Sequence, residues 1–267
     1  MLTLRIAIRL AAFQQPLKKS LQFASELGFE AVELDLRNQL PVRELSQTGL
    51  RQFRKLLDDL NLSVCAVSFP TRRGYDDLED LDRRVSATKE AMSTAYQLGA
   101  PVLINQIGMV PPKPDDAMSE DERRRWQTLV EVLTELGLHG QRCGTRLAAS
   151  TGTEPGENLN ALLSSIPEAL VVVNFDPGNL IMNGYSAVDS LRVLGPLIAH
   201  FHVRDAARDL ARGRGLEVEV GRGSADFPEL LAGLEECDYR GYLTIAGTES
   251  ADPLAAVSQA TEYLRNL

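Results

Sequence analysis

Cysteine, basic charge and long apolar runs are all in short supply in this chain of 267 residues, and each shortage removes a class of function. The three cysteines, Cys65, Cys143 and Cys237, are odd in number, far apart and without metal-ligand spacing. Neither a disulfide framework nor a cysteine metal site follows, and a reduced, cytoplasmic setting is expected. Lysine and arginine number 28 against 37 aspartates and glutamates, a formal net charge of −9. Such a chain repels the phosphate backbone of nucleic acid and is not drawn to anionic membranes, so the expected partners are small molecules or proteins. No apolar run reaches roughly 18 residues, the least a membrane helix needs. The stretch from Met1 to Leu10 lacks the basic-then-apolar layout of a signal peptide, and a soluble protein is expected.

What the chain does have is 44% apolar content, enough for one large core. Short β-rich runs alternate with longer helical patterns from end to end, which predicts βα units and a parallel sheet. The strand candidates are Leu4–Leu10, Ala31–Leu36, Ser63–Phe69, Val102–Ile107, Arg146–Thr151, Leu170–Phe175, Ile198–Val203 and Tyr242–Ala246. Eight strands with intervening helices close a (β/α)8 TIM barrel, and residues 1–267 are expected to form a single domain. Helices are predicted over Leu17–Leu27, Leu50–Leu60 and Leu78–Leu98, stopped by Gly28, Asn61 and Gly99, with a short one near Asn158–Ser164. Another spans Phe227–Glu236 behind the capping residue Asp226. The prolines of Val110–Asp116 mark a loop on the ligand-binding face of the barrel.

Side chains alternate along a strand, so the apolar parity faces the helices and the other parity faces the barrel interior. His200, His202 and Arg204 then point inward, as do Asn174 with Asp176, Thr244 with Ala246, and Ala148 with Ser150. Arg5 and Arg9 on the first strand, with Glu33, Asp35 and Arg37 on the second, form another polar column. An unpaired buried ion costs several kcal/mol. Arg5 is therefore expected in an internal arginine–carboxylate network, while Arg9, Glu33 and Arg37 near the rim are placed to touch ligand.

Four segments carry a resemblance: Arg146-Leu-Ala-Ala-Ser-Thr-Gly-Thr-Glu154, Val173-Asn-Phe-Asp-Pro-Gly-Asn179, His200-Phe-His-Val-Arg-Asp205 and Gly241-Tyr-Leu-Thr-Ile-Ala-Gly247. With Gly221-Arg-Gly-Ser-Ala-Asp-Phe227 they resemble, in order, the metal-binding half of the xylose isomerase-like TIM-barrel superfamily. Its members include sugar and sugar-phosphate isomerases and epimerases. The resemblance implies a divalent metal held by two Glu, one Asp and one His, and it places Asp176 and His202 on the last two. Ser150 and Ala246 stand at both Glu positions. A degenerate metal site is thus implied, because Mn, Mg, Co or Zn would lack two charged ligands, and even an outer partner's loss weakens binding roughly 10–100-fold. No cofactor is expected to bind tightly.

The same two Glu serve such epimerases as acid and base, and neither Ser nor Ala replaces a carboxylate base. Glu154 and Glu249, just beyond the vacated positions, are read as rim residues, and Asn179 stands where several relatives have a supporting His. Endonuclease IV shares the barrel, but its histidine-rich metal cluster has no counterpart among three histidines.

Arginines gather in the loop after the seventh strand candidate, at Arg204, Arg208, Arg212 and Arg214, with Arg222 close behind. Thr71-Arg-Arg-Gly-Tyr75 adds two more at the same end of the barrel. These form either an anion-binding rim or a solvated loop with Asp205 and Asp209 as local salt partners. Arg123–Arg125 reads as a surface run, and Tyr75 and Trp126 read as packing. The resulting expectation is a sugar isomerase/epimerase-like barrel that binds a small anionic or polyhydroxylated ligand with little or no isomerase activity. Glu33, Arg37, Asp176, Asn179, Arg204 and Arg222 are its expected ligand contacts, and a homo-oligomer is compatible with it. The alternative is an active sugar or sugar-phosphate isomerase or epimerase with His202 as catalytic base.

Overall fold

A computed structural model describes residues 4–42, 46–115, 117–208, 215–247 and 250–267. Eight parallel strands close into a ring. In chain order they are β1 (Ile6–Arg9), β2 (Ala31–Asp35), β3 (Ser63–Ser68), β4 (Val102–Asn105), β5 (Arg146–Ser150), β6 (Val171–Phe175), β7 (Ile198–Val203) and β10 (Leu243–Ile245). Each pairs with its chain neighbours, and β10 closes onto β1, giving the (β/α)8 TIM barrel that the alternating pattern predicts. Among the described residues no helix is long and apolar enough to cross a membrane.

The helices begin and end where local chemistry dictates. The first, α1 (Leu17–Glu26), stops ahead of Gly28, whose φ of 76° suits a residue without a Cβ. Helix α2 (Gln47–Asp59) opens on the Ser46 hydroxyl, and α3 (Leu81–Gln97) fills most of the range predicted for it. Ser119 and Glu122 form a reciprocal capping box at the start of α4 (Glu120–Cys143). Short α5 (Gly156–Leu163) follows β5, and two helices, α6 (Pro177–Met182) and α7 (Ala187–Leu194), fill the connection from β6 to β7. Asp226 Oδ1 accepts from Glu229 N at 3.1 Å to start α8 (Phe227–Glu236), as the sequence predicts, and α9 (Pro253–Arg265) closes the ring of helices.

The parity argument holds in the packing. Outward residues such as Ile8, Val32, Leu34, Val173, Phe175, Phe201 and Ile245 join the core beneath the helices. A second cluster of Ala7, Ala31, Cys65, Ala66, Ile104 and Val172 plugs the barrel interior at its N-terminal end. Burial, with the Glu33 charge next, pushes the Cys65 thiol up to about 12, so it stays protonated. Tyr75 and Trp126 are buried packing residues, and the Tyr75 hydroxyl is satisfied by Thr88 and Asn105.

Arg5 departs from its expected internal network. It lies exposed at the open N-terminal end, donating to the Tyr242 hydroxyl at 2.6 Å with its guanidinium 4.0 Å from that ring's centroid. The long side chain reaches solvent past the last paired residue, Ile6, and needs no buried carboxylate.

Beyond β7 the chain adds an antiparallel hairpin, β8 (Asp205–Ala207) with β9 (Leu216–Val218), where the sequence pattern predicts a loop. Asp205 was read as a possible salt partner for nearby arginines, but its fully buried carboxylate instead accepts from four backbone N–H groups. These belong to Ala206 (2.8 Å), Gly221 (3.0 Å), Gly223 (2.8 Å) and Ala225 (3.0 Å). One carboxylate thus folds the Gly221–Ala225 turn against the barrel. Asp205→Asn puts an amide N–H against two of these donors and is expected to cost about 2–4 kcal/mol. Thermal unfolding should show a melting temperature lower by roughly 5–10 °C, and hydrogen exchange should show lost protection at Gly221, Gly223 and Ala225. Unchanged protection at those amides would contradict this role.

Candidate functional site

Above the apolar plug, the inward positions carry polar groups that the strand register brings to one level. Arg9 is opposite Glu33 across β1 and β2, and Thr244 is opposite His202 across β10 and β7. The fully buried Glu33 accepts from His202 Nε2 through Oε2 at 2.7 Å, while its Oε1 lies 3.3 Å from Arg9 Nε. On the other side of the ring, His202 Nδ1 lies 3.4 Å from Asp176 Oδ2 and 3.2 Å from Asn174 Nδ2. Arg204 Nη1 donates to the same Asp176 oxygen at 3.1 Å, and Arg204 Nε lies 3.4 Å from Glu217 Oε2 on β9. A chain of alternating charge runs from Arg9 through Glu33, His202, Asp176 and Arg204 to Glu217.

A neutral layer supports it. Asn174 Nδ2 donates to Ser150 Oγ at 2.9 Å, which turns Asn174 Oδ1 toward His200 Nδ1 at 2.8 Å. His200 Nδ1 therefore carries the proton, and its Nε2 accepts from the Thr244 hydroxyl at 2.9 Å. Asp176 follows β6 and caps α6, with Oδ1 accepting from Asn179 N at 2.9 Å, while Asn179 Nδ2 donates to Thr151 O at 2.7 Å. A Cβ at Gly178 would overlap Arg204, and one at Gly152 would overlap the Asn179 amide. The glycines let both side chains lie close to the strand ends.

Charge state follows from these contacts. Burial disfavours the ionised Glu33 carboxyl, yet the His202 charge and hydrogen bond, with Arg9 and His200, hold it well below the usual carboxylate range. Burial opposes ionisation of Asp176 too, and Arg204, His202 and the Asn179 N–H outweigh it. His202 is raised above an ordinary histidine, because Glu33 and Asp176 together overcome its desolvation. Burial, then the neighbouring His202 charge, pushes His200 down to about 3, and it stays neutral.

The remaining candidates lie at differing distances from this chain. Arg37 is on the rim beyond β2, donating to Pro70 O at 2.9 Å, and its guanidinium lies 5.7 Å from the Phe69 ring centroid. Arg222 sits on the Gly221–Ala225 turn, with its side chain 69% exposed and its Nε 3.0 Å from Glu219. Arg208 donates to Gly184 O at 3.1 Å. Arg212, Arg214, Asp209 and Glu249 lie outside the described residues. Glu154 is not an exposed rim residue: it is 3% accessible, hydrogen-bonded to the Thr153 hydroxyl, and burial pushes its carboxyl up to about 7. His200, Asn174 and Thr244 entered the sequence reading only through their inward parity. That parity was the available signal, and the bonds joining them depend on register across three strands.

The family model for the xylose isomerase-like TIM barrel matches residues 21–267. The chain belongs to that family. Sugar isomerases, epimerases and dehydratases share this scaffold. The inosose dehydratase of Clostridium beijerinckii is 22% identical to it over 241 residues, 79% of this chain and 79% of that protein. A xylose isomerase domain protein from Planctomyces limnophilus superposes with a TM-score of 0.79 at 24% identity, covering 92% of this chain and 91% of that one. A xylose isomerase-like TIM barrel protein from Mycobacterium smegmatis, solved in complex with magnesium, superposes with a TM-score of 0.77 at 18% identity, covering 100% and 96%. At these identities the structural likeness carries the fold.

In this xylose isomerase-like barrel, the metal position implied by the sequence resemblance does not fit its donor set. Ser150 offers a hydroxyl that already accepts from Asn174, and Ala246 offers no donor atom. Asp176 is engaged by Arg204, His202 and the start of α6. A different group, Glu33, His200 and His202, could hold a metal, since one donor atom from each lies within 4.8 Å of the others. An ion there would have to displace the His202 proton from Glu33 and the Thr244 hydroxyl from His200, beside the Arg9 cation.

The raised pKa of His202 contributes stability that is fully present below about pH 6.5 and is lost as pH rises through the folded value. Glu33 and Asp176 act in the opposite sense, with stability present above about pH 4 and lost as pH falls through their depressed folded values. NMR titration should place the His202 imidazole above an ordinary histidine, with Glu33→Gln moving it down. That substitution should also cost about 3–5 kcal/mol at neutral pH by leaving charges unmatched. An unmoved His202 titration in Glu33→Gln would break the proposed coupling.

Proposed function

We propose that residues 1–267 form one domain that binds a small polyhydroxylated or anionic ligand at the C-terminal mouth of the barrel, in a cytoplasmic setting, with little or no isomerase activity. One observation carries this reading: the groups that serve metal and proton transfer in such a scaffold are engaged by protein partners or replaced. His202 is held between Glu33 and Asp176, and positions 150 and 246 carry a hydroxyl and a methyl. Glu33 Oε1 is buried without accepting a hydrogen bond, so a ligand hydroxyl entering beside Arg9 would find an acceptor there. Arg9 and Arg204 flank the opening, with side chains 24% and 18% exposed, and suit a carboxylate, phosphate or hydroxyl-rich ligand. Glu33, Asp176, Asn179 and Arg204 are the proposed contacts of the inner mouth, with Arg37 and Arg222 further out on its rim.

Elemental analysis of protein purified without chelator, followed by manganese and cobalt titration, should reveal no stoichiometric tight site. Ser150→Glu with Ala246→Glu restores two carboxylates beside Asp176 and His202. Manganese should then raise the melting temperature of the double variant, by about 2.7 kcal/mol of stabilisation at a hundredfold excess over its Kd, and not that of the wild type. One full equivalent of metal in the wild type, lost in Glu33→Gln, would overturn the metal-free reading and assign the ion to Glu33, His200 and His202.

A second reading has its own support. His202 Nδ1 faces an acceptor, Asp176, and a donor, Asn174 Nδ2, so either protonation state of the ring finds a partner, as a catalytic base requires. Solvent deuterium exchange into ketoses, their phosphates and inososes separates the two. The binding reading expects no exchange above background. Exchange that disappears in His202→Ala would establish the enzyme instead.

A further inference from the structure

Arg72 and Arg73 follow β3, while Arg204 and Arg222 follow β7, and in the barrel order these two strands are diametrically opposed. The arginines of the expected single rim therefore fall into two groups. The group at β3 joins Arg37, from the turn after β2, and Arg83 and Arg84, from the first turn of α3. Together these five arginines line a cleft of about 800 Å³. Pro41, Val42, Phe69 and Ala87 contribute an apolar surface, and the acidic residues on its walls are Glu79, Asp80 and Glu90. None of the ion chain from Arg9 to Glu217 lines this cleft.

The cleft is not internally neutralised. Arg73 is paired with Asp77 and Glu79. Arg84 is fastened to the backbone carbonyls of Asp77 and Glu79, and its Nε is buried without an acceptor. Arg37 is held in place by the Pro70 carbonyl and the Phe69 ring, neither of which balances its charge. Among the described residues, Arg72 and Arg83 make no ion pair with a carboxylate. Among the described residues, Arg37, Arg72 and Arg83 thus line one concavity with no carboxylate in ion-pair contact, in a protein of net charge −9.

We propose that this cleft is a second ligand site, which takes a small organic phosphate and shares only Arg37 with the proposed rim of the barrel mouth. Arg37, Arg72 and Arg83 receive the phosphate, and Val42, Ala87 and the edge of Phe69 receive its apolar part. Guanidinium forks match phosphate oxygens in pairs, and a dianion needs more than one such fork. The concave shape and the acidic surroundings select a compact anion over a nucleic acid strand. The apolar wall distinguishes an organic phosphate from the free ion.

Phenyl phosphate titrated at 50 mM salt, read by calorimetry and by backbone amide shifts, tests the assignment. Saturable binding is expected, with shifts at residues 37, 69, 71–73 and 81–84 and weakening on raising salt to 300 mM; phenol should not bind, and inorganic phosphate should bind more weakly. Arg72→Ala with Arg83→Ala should lower the affinity about tenfold or more. Both side chains are exposed, so the fold should be kept. Arg192→Ala, on α7 and with the same kind of charge removed, serves as the control. Equal affinity in the double variant and the control would overturn the proposal, as would shifts confined to the loops after β6, β7 and β10.

Discussion

A buried imidazole held between two carboxylates organises the mouth of this barrel. His202 meets Glu33 at 2.7 Å and Asp176 at 3.4 Å, and both carboxylates are buried. Remove the ring, and two anions are left in a low-dielectric interior at a cost of several kcal/mol. The flanking cations Arg9 and Arg204 complete the balance, which is why charges alternate along the chain of contacts. Glycines at 152 and 178, the cap on α6 and the hairpin carrying Glu217 all serve to bring members of that chain within reach.

A proton and a divalent metal compete for the same imidazole lone pair, and the surrounding charge decides between them. Two extra carboxylates at positions 150 and 246 would favour the ion. Here Ser150 instead orients Asn174, and through it the neutral tautomer of His200. With one carboxylate on each side and an arginine behind each, the interior favours a protonated His202. Serine at 150 and alanine at 246 thus go together with internal ion pairing around His202.

Much of this was legible in the residues. Alternation alone places Glu33, Asn174, Asp176, His200 and His202 inside, and apolar period and caps locate the strands and most helices. What escaped was information carried by register and by distant backbone. The partner of Glu33 lies on β7, and no local pattern encodes that β2 and β7 converge across the barrel. The role of Asp205 depends on backbone N–H groups up to twenty residues away. Glu154 reads as a loop residue because its sequence neighbours are Gly, Thr and Pro, and its burial depends on how that loop folds onto the barrel. Arg5 was misplaced because parity says which way a side chain points and not where the barrel ends.

The division of the arginines follows from the same limitation and has an electrostatic consequence. Arginines in loops at the same end of a TIM barrel can be a barrel diameter apart, depending on which strands they follow. On the β7 side Arg204 is matched by Asp176 and Glu217, and Arg222 by Glu219, so those cations are largely neutralised at short range. On the β3 side the carboxylates satisfy Arg73, and among the described residues Arg72 and Arg83 have no ion-pair partner. Paired charges at a few ångströms project little field beyond the Debye length of about 8 Å at physiological salt, whereas unpaired ones in a concavity focus it. Among the described residues, local pairing as well as the count of arginines therefore bears on where this acidic protein would draw an anion.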